Sequence, residues 1–187
     1  MERDMTWKTL SSRQLFSETW MNVRADTCEK PDGSIVSPYY VYEFPEWVTA
    51  LAITKDGQVI LERQYRHALG RTDLELPGGC VDRTDASFEA AVARELLEET
   101  GFRFERFVFL GQTSANPSTN TNLMHMYLAT GGEKVQEQEL DAGEDIDIVL
   151  VSMDELVELF RKQQFIQSMH MVAISLALQH LGRIHIQ

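Results

Sequence analysis

The sequence predicts an α+β fold, on three observations. Strand-like runs rich in β-branched residues come in pairs around Asp-Gly turns. Helical patterns are confined to one central segment and to the C-terminal quarter, and the two kinds of element do not alternate as regular βαβ units would. A doubly wound parallel sheet is therefore not expected. With 187 residues and 43% hydrophobic content, the chain suffices for one well-packed domain, or for one domain with a small appendage.

In chain order, residues 21–28 and 35–44 read as strands joined by "KPDGS", where Asp32-Gly33 supplies the turn chemistry. A second hairpin follows, "WVTALAIT" and "QVILERQY" flanking the "KDG" turn at 55–57. After the glycine-containing loop "LPGGCVDRTD", residues 86–100 have helical periodicity, with Asp85 or Ser87 as cap and Gly101 as stop. Further strands fit 106–113, 123–129 and 146–151, and two helices fit 153–162 and 168–181. There are no internal repeats. The one compositional shift is 131–160, with ten acidic residues against Lys134 alone, the mark of a solvated face.

The formal charge of −12 argues against a protein that reads a nucleic-acid backbone, because phosphate contacts need clustered Lys and Arg. Cys28 and Cys80 are far apart and outside any CxxC, so free thiols in a reducing, cytoplasmic setting are expected. "MERDMTWKTL" lacks a signal-peptide core and "MVAISLAL" is too short to span a bilayer, so no membrane association is expected. The histidines (His67, His125, His170, His180, His185) show no HExxH or zinc spacing, and there is neither a GxSxG elbow nor a GxxxxGK[ST] loop.

The chemistry concentrates in "RELLEETGF". Glu95, Glu98 and Glu99 lie within an arc of about 100° on the helix, with Glu99 between Phe88 and Val92 at the border of the buried stripe. They crowd the end of the helix whose dipole disfavours anions. At an effective dielectric of about 20, two charges about 5.5 Å apart repel by about 3 kcal/mol. Arg94 partners Glu98 at i+4 but cannot neutralise three carboxylates. A hard divalent cation, Mg²⁺ or Mn²⁺, which takes oxygen ligands and keeps substrate phosphates in its shell, suits the cluster.

"LPGGCVDRTDASFEAAVARELLEETGF" resembles the Nudix box, G-x5-E-x7-R-E-U-x-E-E-x-G-U, and its second half matches at every specified position. The first half departs. Counting from Gly79 puts Asp85 at the first glutamate, whereas counting back from Arg94 puts Ala86 there; a one-residue loop insertion reconciles the two. The resemblance implies the Nudix fold, a mixed β-sheet sandwiched between helices (α/β/α) with an N-terminal antiparallel β subdomain. By that resemblance Glu95, Glu98, Glu99 and the carbonyl of Gly78 would ligate the metal, with Arg94 orienting the carboxylates.

The resemblance covers about 7–181 and points to the ADP-ribose pyrophosphatase and nucleoside diphosphate sugar hydrolase branch. It implies that Arg66 of "RQYRH" contacts substrate phosphate, that Pro117 of "SANPSTNTN" marks the ADP-ribose subgroup, and that "ELDAGEDIDI" supplies a general base. Glu144 is the first choice, with Asp141 and Asp145 open. Residues 1–45 would form a subdomain exchanged between the subunits of a homodimer, and 46–187 the catalytic domain. Tyr39, Tyr40 and Trp47 are candidates to stack the base. The expected reaction is metal-dependent hydrolysis of the pyrophosphate bond, ADP-ribose first, with GDP-mannose or a broad nucleotide-sugar range as the alternative. A non-hydrolytic nucleotide-sugar-binding regulator is the rival class; retention of all three glutamates favours an enzyme.

Overall fold

A computed structural model describes residues 2–19 and 21–184; His185 lies outside them. The chain divides into two compact units, one of residues 1–45 with 114–122, the other of 46–113 with 123–187.

The first unit is a three-stranded antiparallel sheet in the order β1 (Lys8–Glu18), β2 (Met21–Glu29), β3 (Ile35–Glu43). The DG turn forms where expected, with Gly33 at φ +82° and its N–H donating to Lys30 O at 2.9 Å. The segment 114–122 lies along β3, where the Tyr42 N–H donates to Thr119 O at 2.7 Å. β1 is absent from the sequence reading. Every one of its residues is exposed and two bulges break its register with β2, so no buried face imprints an alternation on it.

The second unit is built on one mixed sheet. It contains β4 (Trp47–Thr54), β5 (Val59–Arg66), β6 (Arg71–Glu75), β7 (Phe102–Arg103), β8 (Arg106–Thr113), β9 (Met124–Lys134) and β10 (Ile146–Val151). Its path is β10-β5-β4-β9-β7, with β6 beside β5 and β8 beside β9; only β4 and β9 run parallel. β9 continues past the expected end at Ala129 through Gly131 and Gly132. A Cβ on Gly132 would lie 2.4 Å from the Phe104 ring, so this glycine serves close packing inside a strand. β6, short and polar, is likewise absent from the reading.

Side-chain alternation divides the core into two layers. Val48, Ala50, Ala52, Ile60, Tyr127 and Ala129 pack against α1 (Phe88–Thr100), through Ala91, Val92 and Leu96. Leu51, Val59, Leu61, Met126 and Leu128 face the other way, onto α2 (Met153–Arg161) and α3 (Ser168–His180). The result is the expected α/β/α sandwich. Ser87, not Asp85, caps α1, its side chain accepting from the Ala90 N–H at 3.1 Å; Asp85 is engaged elsewhere. Among the described residues no helix is long and apolar enough to cross a membrane, and Cys28 and Cys80 are free thiols.

Candidate active site

Helix α1 brings its acids to the sheet. Ala91, Glu95 and Glu99 follow one another at i+4 down the buried stripe, so Glu95 and Glu99 are buried while Glu98 stays half-exposed. Burial pushes Glu95 up to about 7, against the pull of Arg94. Glu99 is raised as well, first by burial and then by the charge of Glu62, although the Gly78 N–H donating to its Oε2 at 2.7 Å opposes the shift.

Arg94 ties this stripe to the preceding loop. Its Nε and Nη2 donate to Oδ1 and Oδ2 of Asp85 at 3.1 and 3.0 Å, and Nη2 also reaches Cys80 O at 2.9 Å. Nη1 pairs with Glu98 at 2.8 Å and with Glu95 at 3.0 Å. Of the two positions counted for the first half of the box, Asp85 provides the loop carboxylate that holds Arg94. The arginine in turn holds the Asp85 carboxyl below its ordinary range.

The loop between β6 and α1 runs flush against β4, with the Val48 N–H donating to Gly79 O and the Ala50 N–H to Pro77 O. Gly78 sits at φ +145°, and a Cβ there would lie 2.2 Å from Val48 O; a Cβ on Gly79 would lie 2.8 Å from the Glu95 carboxylate. Only glycine allows so close an approach.

The helix terminus that crowds its own acids is satisfied from outside. The Glu139 N–H donates to Glu98 O at 2.8 Å, and Gln138 Nε2 donates to Glu99 O at 2.7 Å and to Ile146 O at 3.2 Å. Gln138 thus fastens both ends of the acidic loop. Within that loop Glu144 accepts from the Asp141 N–H at 2.8 Å, and its charge acts on Glu62, Glu95 and Glu99.

The sheet adds carboxylates that sequence reasoning missed. Glu62 of β5 and Glu75 of β6 stand opposite each other in register, both buried. Arg66 donates to Glu75 through Nε at 2.7 Å and Nη2 at 2.6 Å, and is held above its ordinary value by that pair. Beneath them His170 Nδ1 accepts from the Leu76 N–H at 3.3 Å, and complete burial pushes this histidine down to about 4, so it is neutral.

Of the remaining expected residues, Trp47 is brought to the glycine loop, where it forms a β-bridge with Cys80. Trp47 opens β4, its N–H donating to Leu123 O, while Tyr40 (half-exposed at 51%) and the exposed Pro117 belong to the first unit. A cavity of about 530 Å³ lined by Leu74, Val149, Val151 and Leu159, with Glu155 and Glu158 at its edge, opens on the α2 side of the sheet and contains none of the clustered carboxylates.

As they stand, no three His, Cys, Asp or Glu side chains among the described residues converge tightly enough to enclose an ion. The donor set nonetheless fits a hard divalent cation. It consists of carboxylate oxygens, burial raises Glu95 and Glu99 in a way a cation would reverse, and Glu62 Oε1 is buried with no hydrogen-bond partner.

Comparison with known proteins agrees with this architecture. Residues 7–42 match the family model described as nucleoside diphosphate sugar hydrolase N-terminal domain, and residues 44–170 match the NUDIX domain. The methanol dehydrogenase activator of Bacillus methanolicus is 27% identical over 89% of this chain and 90% of its own. The ADP-ribose pyrophosphatase of Bacillus subtilis (strain 168) is 27% identical over 84% of each. A crystal structure of an ADP compounds hydrolase superposes with a TM-score of 0.84 over 98% of this chain and all of that one; at 23% identity this establishes the shared fold.

Proposed function

The chain belongs to the NUDIX family of pyrophosphohydrolases, and on that premise we propose that it hydrolyses the pyrophosphate bond of a nucleoside diphosphate sugar, with ADP-ribose as first substrate. The products are a nucleoside monophosphate and a sugar phosphate. The observation that carries the reading is the intact trio Glu95, Glu98 and Glu99, locked to the glycine loop through Arg94 and the Gly78 N–H.

Glu95, Glu98 and Glu99, with the Gly78 carbonyl, would hold Mg²⁺ or Mn²⁺. When bound, the ion neutralises the diphosphate and acidifies water. Arg66, oriented by Glu75, offers its remaining donors to a phosphate oxygen. Glu144 leaves the Asp141 N–H and takes the proton of the attacking water on a carboxylate oxygen as the new P–O bond forms and the bridging P–O bond breaks. Tyr39, Tyr40 and Trp47 are the candidates to stack the base, and Pro117 is a candidate substrate-binding residue. Residues 1–45 serve dimerisation of a cytoplasmic homodimer, and 46–187 catalysis.

The test is a single assay of monophosphate release from ADP-ribose and GDP-mannose by purified protein, with and without EDTA. Cation-dependent release, faster with ADP-ribose, supports the reading; full turnover after exhaustive chelation refutes it. A non-hydrolytic binding role, the second reading, gains from the relative named as an activator. It would show as ADP-ribose binding with no monophosphate formed over hours.

A further inference from the structure

Strand β5 places an acid where its neighbours are apolar. On the face it turns toward α1, β5 carries Ile60 and then Glu62; Ile60 is wholly buried and Glu62 is 3% exposed. Glu75, its cross-strand neighbour, has both carboxylate oxygens engaged by Arg66. Glu62 has no such match: its Oε1 is sealed from solvent without a hydrogen-bond partner. A carboxyl oxygen sealed from water without a partner is destabilising, and an aliphatic side chain would fill the same space without that penalty. The carboxylate also faces company of its own sign, since Glu75, Glu144, Glu95 and Glu99 all lie close enough to act on it by charge. The cation that acts on it, Arg66, is already taken by Glu75.

We propose that Glu62 is a metal ligand contributed by the sheet, its Oε1 meeting a divalent cation that Glu99 holds from the helix side. The inference deepens the proposed function and rests on its metal reading. A hard cation resolves both anomalies together, giving the orphaned oxygen a partner and removing the repulsion between Glu62 and Glu99. It also fixes the ion to a central strand as well as to a helix end, and a ligand on a rigid strand holds geometry better than one on a loop.

The test titrates the metal-stripped full-length protein with Mn²⁺ alone, counting free ion by its solution EPR signal, in parallel with thermal unfolding with and without Mn²⁺. Glu62→Gln, which keeps shape and removes charge, should weaken Mn²⁺ binding about tenfold or more, or abolish one equivalent. The rise in Tm produced by Mn²⁺ should shrink accordingly, while the metal-free Tm stays level or increases. Glu62→Asp, which keeps the charge but withdraws the oxygens, should also weaken binding, and provides the same reading if the first variant does not fold. Wild-type affinity and stoichiometry in either folded variant overturn the inference alone. Failure of the unaltered protein to bind Mn²⁺ overturns it together with the metal reading beneath it, and Glu99→Gln, measured alongside, shows the loss that a ligand of that reading produces.

Discussion

Asp85 grips Arg94 along one edge of the guanidinium, Nε to Oδ1 at 3.1 Å and Nη2 to Oδ2 at 3.0 Å, leaving Nη1 for Glu95 and Glu98. Nine positions apart in the chain, the two residues join the loop to the acidic helix. The Asp85 side chain is 7% exposed and that of Arg94 27%, so the carboxylate end of the pair is shielded from water. Asp85→Ala leaves Arg94 without its loop partner and should lower stability by about 1.5–3 kcal/mol, the range for hydrogen bonds to charged groups. Urea unfolding measures this; a midpoint equal to that of the unaltered protein would show that Asp85 does not hold the loop.

Glu99→Gln should remove most hydrolysis, a loss of about a hundredfold or more, beyond what loss of an outer-shell contact to a metal site produces. The amide oxygen can still accept from the Gly78 N–H, and a carboxyl whose ionisation burial disfavours is replaced by a neutral amide, so metal-free stability should not fall. Steady-state kinetics at saturating Mg²⁺, with thermal unfolding in EDTA, checks both halves. Near-normal turnover would mean that the ion is held elsewhere.

The metal-free protein should lose stability as pH rises. Glu95 titrates near 4.5 when solvated and is pushed up to about 7 in the fold. Between those values the folded state binds more protons than the unfolded state, so stability is complete below the lower value and falls away through the higher one. Glu62 and Glu99 shift in the same direction. His170, pushed down to about 4 by burial, acts in the opposite sense below its ordinary value of 6.5, so thermal unfolding in EDTA from about pH 6.5 to about pH 8 should show Tm falling, with saturating Mg²⁺ flattening the slope. A metal-free Tm that rises over this range would contradict the burial of these acids.

The helix side of the site is legible in the sequence because a period near 3.6 orders Glu95, Glu98 and Glu99 against Val92 and Leu96 without reference to anything distant. Arg94 is legible for the same reason. Asp85 is legible only as one of two counts, since the loop's extra residue has no period and geometry alone decides between them. Glu62 is not legible. "VILERQYR" reads as an apolar start and a polar finish, and only the pairing of β5 with β6 and the position of α1 show that Glu62 is interior. β1 escapes because nothing buries either of its faces, whereas β4, β8 and β10 have the expected bounds because their residues alternate against real cores.

Glu144→Gln separates proton transfer from ion binding. In this structure the Glu144 carboxylate rests on the Asp141 N–H at 2.8 Å, and the loop that carries it is fastened at its base by Gln138, which bridges Glu99 O and Ile146 O. The carboxylate is half-exposed and its charge reaches Glu95 and Glu99, a position suited to receiving a proton at the edge of the cluster. The variant should slow kcat by about 10²–10⁴, the usual contribution of a general base, and leave Mn²⁺ affinity within about twofold. It should also erase the rise of kcat with pH that a base of this kind imposes on the acid limb. If kcat is unchanged while that limb persists, the proton goes to Asp141 or Asp145 instead; if Mn²⁺ affinity falls in step with kcat, Glu144 is a ligand and not the base.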